Sequence, residues 1–323
     1  MKHQNMKRIF TLVSLVIAAS TGMAQDAAKP DTLWKLGAYF GVNFNQVGLT
    51  NWAAGGENSF SVAGIFSGTA NYKKGTITWD NSLDLGYGLL KSGESPFRKN
   101  EDKIDLNSKF GALAKGKFYY SVLLNAKSQF ANGFNFPNDS VVVSHFAAPA
   151  FITIALGMDY KPNDFFSLFV SPATGKFTIV NDQRLADLGS FGVKAADTTL
   201  GTQGRKIRGE FGASLRAQYK QDVTKYLNIS TTLLLFNNYT DPKPENRGNI
   251  DINWETLITI KAGKLITTSI YTNLIYDHDI NIPTYQKING EKVQVGQGPK
   301  TQFKEVIGVG ISYKIAGVKT AKK

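Results

Sequence analysis

The chain has 323 residues, no cysteine, 42% hydrophobic residues and a formal charge of +12. The lack of cysteine excludes disulfides and thiolate chemistry, and the length admits one large β-domain or two ordinary domains. The basic balance does not indicate a nucleic-acid binder, because the lysines form no stripe and the N-terminus directs the chain out of the cytoplasm.

Lys2, Lys7 and Arg8 precede an apolar run over residues 9–19, followed by Gly22-Met23-Ala24. This is the layout of a secretory signal peptide with cleavage before Gln25. Its apolar core falls short of the roughly 20 residues that span a bilayer as a helix. Residues 1–24 are therefore set aside, and residues 25–323 are expected to form a single domain. Removing Lys2, Lys7 and Arg8 from the formal charge of +12 leaves +9.

Period-two alternation then dominates, which indicates strands. Trp34, Leu36, Ala38, Phe40, Val42 and Phe44 alternate with small or polar residues. The pattern returns in Phe60 to Tyr72, in Ile77 to Leu89, around Ile104 to Ala112, around Phe118 to Ala126 and around Ile152 to Tyr160. Six further strands are expected around Phe166 to Val170, Phe211 to Tyr219, Leu227 to Leu235, and near Ile258, Ile270 and Val309. The total, about twelve, is an even number that returns both termini to one side.

Short turns are expected at residues 73–75, 114–116, 161–164, 220–222 and 262–264, and longer connections at 45–58, 91–102, 131–148, 172–208, 239–248 and 278–300. Outer-membrane barrels alternate in this way, with short periplasmic turns and long outer loops. The non-apolar faces are rich in Gly, Ser, Thr, Asn and Tyr rather than Lys and Glu. Trp34, Tyr72, Trp79, Tyr120, Tyr160, Tyr219 and Tyr313 cluster at one set of strand ends, and Phe44, Phe60, Tyr87, Phe130 and Tyr239 at the other. Two such girdles mark membrane interfaces. The expectation is an all-β fold, a transmembrane up-and-down antiparallel barrel with both termini in the periplasm, exported to the Gram-negative outer membrane and surrounded by its lipid.

Two segments stand out between strands: Asn51-Trp52-Ala53-Ala54-Gly55-Gly56-Glu57-Asn58, and Ser171-Pro172-Ala173-Thr174-Gly175-Lys176. On these the chain resembles a domain-of-unknown-function family of Gram-negative outer-membrane β-barrel proteins. The resemblance implies the fold and supplies no activity. In the first segment, Gly55 and Gly56 allow backbone angles closed to other residues, so that Trp52 folds back over the barrel mouth. A ligand-contact role for Trp52, with Asn51 and Asn58 as hydrogen-bonding groups, is the competing reading. The second segment lacks the spacing of a phosphate loop.

The lumen-facing candidates are Asp80, Asp84, Asp105, Lys109, Lys127, Arg216, Asp251 and Glu255. Both signs are present, which fits either an ion-pair network bracing the barrel or the lining of a polar passage. Asp277-His278-Asp279 and His145 are the remaining groups of chemical interest, and a solvated loop cluster explains them without catalysis. No catalytic residue, metal site or cofactor is expected. Passage of small polar solutes is the preferred function, ahead of a structural or assembly role with an outer-membrane or periplasmic protein, and ahead of an outer-membrane hydrolase. The apolar content of residues 172–208, including Phe177, Leu188 and Phe191, predicts that this longest loop folds over or into the barrel.

Overall fold

The structure, a computed structural model, describes residues 33–49, 57–136, 138–263, 266–288 and 291–315. The expected signal peptide and Asn51, Trp52, Gly55 and Gly56 lie outside these residues.

Twelve antiparallel strands close into one barrel in the order β1-β16-β13-β12-β11-β10-β9-β8-β5-β4-β3-β2. They are β1 (Trp34–Val47), β2 (Ser59–Lys74), β3 (Ile77–Ser92), β4 (Arg98–Lys115), β5 (Phe118–Ser128), β8 (Ala150–Tyr160), β9 (Phe166–Ile179), β10 (Ile207–Asp222), β11 (Leu227–Asn238), β12 (Ile250–Ala262), β13 (Ile266–Tyr276) and β16 (Gln302–Ile315). Pairing of β1 with β16, from Ala38 opposite Ile315 to Phe44 opposite Val309, removes the free edges. Four other strands lie outside the barrel as two hairpins: β6 (Gly133–Asn135) with β7 (Asn138–Ser144), and β14 (Asn281–Ile288) with β15 (Glu291–Pro299).

Alternation fixes which side chains face outward. On β5, Phe118, Tyr120, Val122 and Leu124 are exposed, whereas Ser121, Leu123 and Asn125 are buried. The same phase exposes Leu36, Phe40, Val42 and Phe44 on β1 and Phe303, Ile307, Val309, Ile311 and Tyr313 on β16. A water-soluble barrel would bury these side chains and expose the polar ones. Here the arrangement is inverted, with an apolar exterior around a polar interior, as a hydrocarbon surround requires.

The barrel has a short-turn end and a loop end. At the short-turn end, β1 begins and β16 finishes, and β2 joins β3 through Gly75 and Thr76 alone. Gly75, at φ 53°, takes the left-handed angle this tight turn needs.

Two expected connections are corrected. Residues 91–102 do not form a long loop: β3 runs to Ser92 and β4 starts at Arg98, so only 93–97 are left between them. Likewise β9 continues to Ile179 and the connection shrinks to 180–206. The segment from Ser171 to Lys176 is therefore strand. Pro172 lacks an N–H and is accommodated in a bulge that shifts the register of β9 against both β8 and β10. Gly157 faces that bulge, where an added Cβ would come within 2.1 Å of the Val170 carbonyl oxygen. On the inner side of the bulge, Thr174 Oγ1 donates to Ser171 Oγ at 2.9 Å and shares a hydrogen bond with Ser214 Oγ at 2.8 Å.

Residues 180–206 fold into a compact lid on the loop end. Helix α1 (Gln183–Asp187) is capped by Asp182, whose carboxylate accepts from the Leu185 N–H. Val180, Leu185, Ala186 and Val193 form a small core with Ala148, and Phe191 packs against it. Of the apolar residues expected to anchor the loop, Phe191 does so, but Leu188 is 71% exposed and Phe177 points outward from β9. Val180, Leu185 and Val193, rather than Phe177 and Leu188, supply the larger buried side chains of this core.

Candidate functional site in the barrel lumen

Inward-facing charged residues lie at three levels between the short-turn end and the loop end. Near the short-turn end, Lys109 of β4 meets Asp159 of β8 at 2.7 Å, and the Asp159 side chain is fully buried. Ser167 donates to Asp159 at 2.6 Å, and Lys109 in turn donates to the Ser167 hydroxyl at 2.6 Å. Lys161, expected in a surface turn, instead bends inward to Asp80 at 2.5 Å and Asp159 at 3.4 Å.

The middle level crosses the whole barrel. Lys103 on β4 reaches Glu255 on β12 at 2.5 Å, although these strands stand six apart around the ring in either direction. Lys127 on β5 reaches the other carboxylate oxygen of Glu255 at 3.1 Å. Asp105 lies 3.8 Å from Lys103 and 3.4 Å from Lys127, so two ammonium groups are held between two carboxylates. Asn125 donates to Asp105 at 2.7 Å, and Arg216 crosses from β10 to donate to Asn107 on β4 at 2.7 Å. Asp84 sits on the inward face of β3 opposite Asp105, among the carboxylates surrounding Arg216. Toward the loop end of the same strands, Lys304 on β16 joins Glu101 on β4 at 2.5 Å.

At the loop end, the Lys176 ammonium lies 2.9 Å from Asp251 and 3.6 Å from both Glu210 and Asp277, over the ring of Phe236. Arg208 pairs with Glu210 at 2.6 Å and with Asp279, and it donates to the Gly192 carbonyl of the lid at 3.2 Å. The lid is thereby tied to the lumen wall.

Outside the membrane-spanning strands, the Leu185 N–H holds Asp182 below the usual carboxylate range, with help from His145 at 3.2 Å. The Gln183 amide and the Gly204 N–H do the same for Asp187.

The structure thus brings together Asp105, Lys127 and Glu255 at the middle level, places Asp80 and Lys109 with Asp159 and Lys161 near the short-turn end, and sets Asp251 at the loop end. Asn58 binds the base of the first long connection, accepting from the Leu49 N–H at 2.6 Å. Sequence reasoning missed Lys103, Lys161, Lys176 and Arg208 as lumen residues. Lys103 was accessible, since it lies two residues from Asp105 and shares its face. Lys176 was hidden by the misplaced end of β9, and Arg208 by the misplaced start of β10.

His145 and His278 occupy separate settings. His145 bridges the Phe146 carbonyl and Asp182, while His278 Nδ1 lies 3.3 Å from the Tyr276 hydroxyl. Among the described residues, no group of three or more His, Asp or Glu side chains is disposed to hold a metal ion.

Residues 44–134 match a family described as a protein of unknown function (DUF3078). No curated protein matches the sequence. Among solved structures, the chain is similar to an outer membrane channel from Pseudomonas putida F1, with 11% identity, a TM-score of 0.38 and coverage of 90% of this chain and 98% of that one. It is also similar to the translocator domain of autotransporter NalP from Neisseria meningitidis, with 10% identity, a TM-score of 0.33 and coverage of 96% and 97%. OmpF from Salmonella typhi, in complex with daunomycin, aligns with 9% identity, a TM-score of 0.25 and coverage of 87% and 97%.

Proposed function

We propose that the protein is a noncatalytic barrel of the Gram-negative outer membrane whose lumen passes small polar solutes, with a resting state narrowed by the crossbar that Lys103 and Lys127 form with Glu255. The short-turn end, with both chain termini, faces the periplasm in this reading, and the lid faces outward.

One observation carries the proposal: charged side chains continue through the lumen at every level, from Lys109 and Asp159 through Lys103 and Glu255 to Lys176 and Asp251. Stability alone does not call for this lining, because replacing a buried ion pair with packed apolar residues is often neutral or stabilising. A polar file from end to end offers a hydrated solute replacement hydrogen bonds along its route, which an apolar filling would deny it. The crossbar sets the scale, since a pathway interrupted by two lysines and a glutamate selects for small solutes.

Vesicles containing the purified protein are expected to equilibrate small inorganic ions faster than empty vesicles while retaining an entrapped oligosaccharide. If neither the native protein nor a variant lacking residues 181–203 exceeds empty vesicles for any small polar probe, the proposal fails.

A structural or assembly role is the second reading. It is favoured by the β14–β15 hairpin, which stands off the barrel and exposes Tyr285, Ile288, Val293 and Val295. Recovery of a stoichiometric protein partner from gently solubilised membranes, lost when residues 281–299 are removed, would support it.

A further inference from the structure

We propose that the short-turn end of the barrel carries a lysine ring that binds the phosphates of anionic phospholipids in the adjoining leaflet.

The aromatic girdle fixes the depth of this end. Trp34, Tyr72, Trp79 and Phe110 stand opposite one another on β1, β2, β3 and β4 in one continuous row. Trp34 packs on Tyr72 at 5.2 Å and on Trp79 at 5.7 Å between ring centroids. Phe118 and Tyr160 continue the belt on β5 and β8 at 4.8 Å, and Phe165 with Tyr219 extends it to β10 at 5.7 Å. Aromatic rings of this kind settle at the boundary between hydrocarbon and headgroups.

Lysines follow immediately beyond the belt. Lys73 and Lys74 come one and two residues after Tyr72, Lys117 directly precedes Phe118, and Lys220 directly follows Tyr219. At about 3.3 Å per residue these backbones sit within roughly 3–7 Å of the girdle, which is headgroup depth, and the long side chains extend further along the surface. Lys225 stays at that level, with its ammonium 4.8 Å from the Tyr226 ring.

These charges are available. Lys73, Lys74, Lys115, Lys117, Lys220 and Lys225 are exposed, and none takes part in the ion pairs found among the described residues. Lys161 is the exception at this end, being turned into the lumen by Asp80 and Asp159. The acids on the same turns are Asp164 and Asp222, and Asp222 already accepts from Asn228 at 2.9 Å. At the loop end, by contrast, signs are mixed: the lid alone combines Arg184, Lys194, Arg205 and Lys206 with Asp182, Asp187 and Asp197. A predominantly basic ring held at headgroup depth, six exposed lysines against two acids, complements an anionic leaflet, where each lysine adds an attraction of several-fold.

The test uses the full chain in vesicles of phosphatidylcholine with a minor fraction of phosphatidylglycerol, and W52F/W254F to leave Trp34 and Trp79 as the reporters. Phosphatidylglycerol brominated on its acyl chains is expected to quench their emission more than equally dilute brominated phosphatidylcholine. The preference should fall at least about fivefold in K73Q/K74Q/K115Q/K117Q, the effect of one such lysine or more, and should weaken with added salt. These turn substitutions leave the girdle and lumen intact, and unchanged heat-dependent gel mobility would verify folding. Equal quenching by both lipids in the unsubstituted protein would overturn the proposal. So would a preference that survives the four substitutions, or charge-dependent capture of a soluble polyphosphate without any lipid preference, which would assign the ring to a soluble partner.

Discussion

An arginine in place of Leu124 measures how deeply the barrel wall sits in hydrocarbon. Leu124 lies six residues along β5 from Phe118, whose ring pairs with Tyr160 at 4.8 Å in the girdle. Six residues at about 3.3 Å each span roughly 20 Å of strand. With a tilt of about 40°, that is roughly 15 Å along the membrane normal, near the middle of an apolar band about 25 Å tall. Leu124 is 39% exposed on the outer face, so its arginine meets lipid rather than the lumen. Arg at the midplane costs about 2–4 kcal/mol, a shift of roughly 30- to 1000-fold in the folded-to-unfolded ratio. At Phe118 the same charge lies at the interface and should cost about 0–1 kcal/mol. The assay is reversible urea unfolding in lipid vesicles followed by tryptophan emission. Each Arg variant is compared with Ala at the same site, so that lost side-chain packing cancels. An Arg-minus-Ala difference that is the same at both positions would refute the assignment of β5 as a membrane-spanning strand.

Other expectations follow from the interior. Lys109→Met leaves the fully buried Asp159 with the Ser167 hydroxyl at 2.6 Å and the more distant Lys161 ammonium at 3.4 Å and should destabilise by about 3 kcal/mol, with K109M/D159L recovering most of the urea midpoint. Thr174→Val removes both hydroxyl bonds at the β9 bulge and should lower stability by about 1–3 kcal/mol in the same titration. The lid should respond to acid. Because Asp182 is held below its ordinary value by Leu185 N–H and His145, its contribution is complete above about pH 3.9 and is lost as pH falls through the lower folded value. Protection of the Leu185 amide from hydrogen exchange, corrected for intrinsic rates, should therefore hold from neutral pH to about pH 5 and drop below about pH 4, with D182A removing the step.

The wall of the barrel was legible because its physics is local. Alternation at Trp34 to Phe44 or Phe118 to Ala126 needs only the two-residue period of a strand and an apolar outer side, and all twelve barrel strands follow from it. The misread stretches are those where local cues conflict with pairing. Pro172 and Gly175 look like the start of a loop, yet a bulge lets β9 continue past them. Arg98 and Lys99 look like loop as well, but their partners Leu90 and Leu89 on β3 extend the sheet beyond the apolar band, past an irregularity at Asn100. The lumen contacts were less accessible still. That Asp105, Lys127 and Glu255 face inward follows from phase, but that Lys103 meets Glu255 depends on the strand number and register of the whole ring. Two hairpins within long connections, β6–β7 and β14–β15, left no girdle or turn pattern to separate them from loop.

The most direct test of a charge-lined passage narrowed by its own crossbar is single-channel current across a planar bilayer, recorded for the native protein and for K103A/K127A/E255A. Removing the three side chains takes away the contacts at 2.5 and 3.1 Å that join opposite walls while leaving the levels above and below. The account predicts small, frequently interrupted currents from the native protein and larger, steadier ones from the variant. Silence from both, with each shown to be folded in the bilayer, would contradict it.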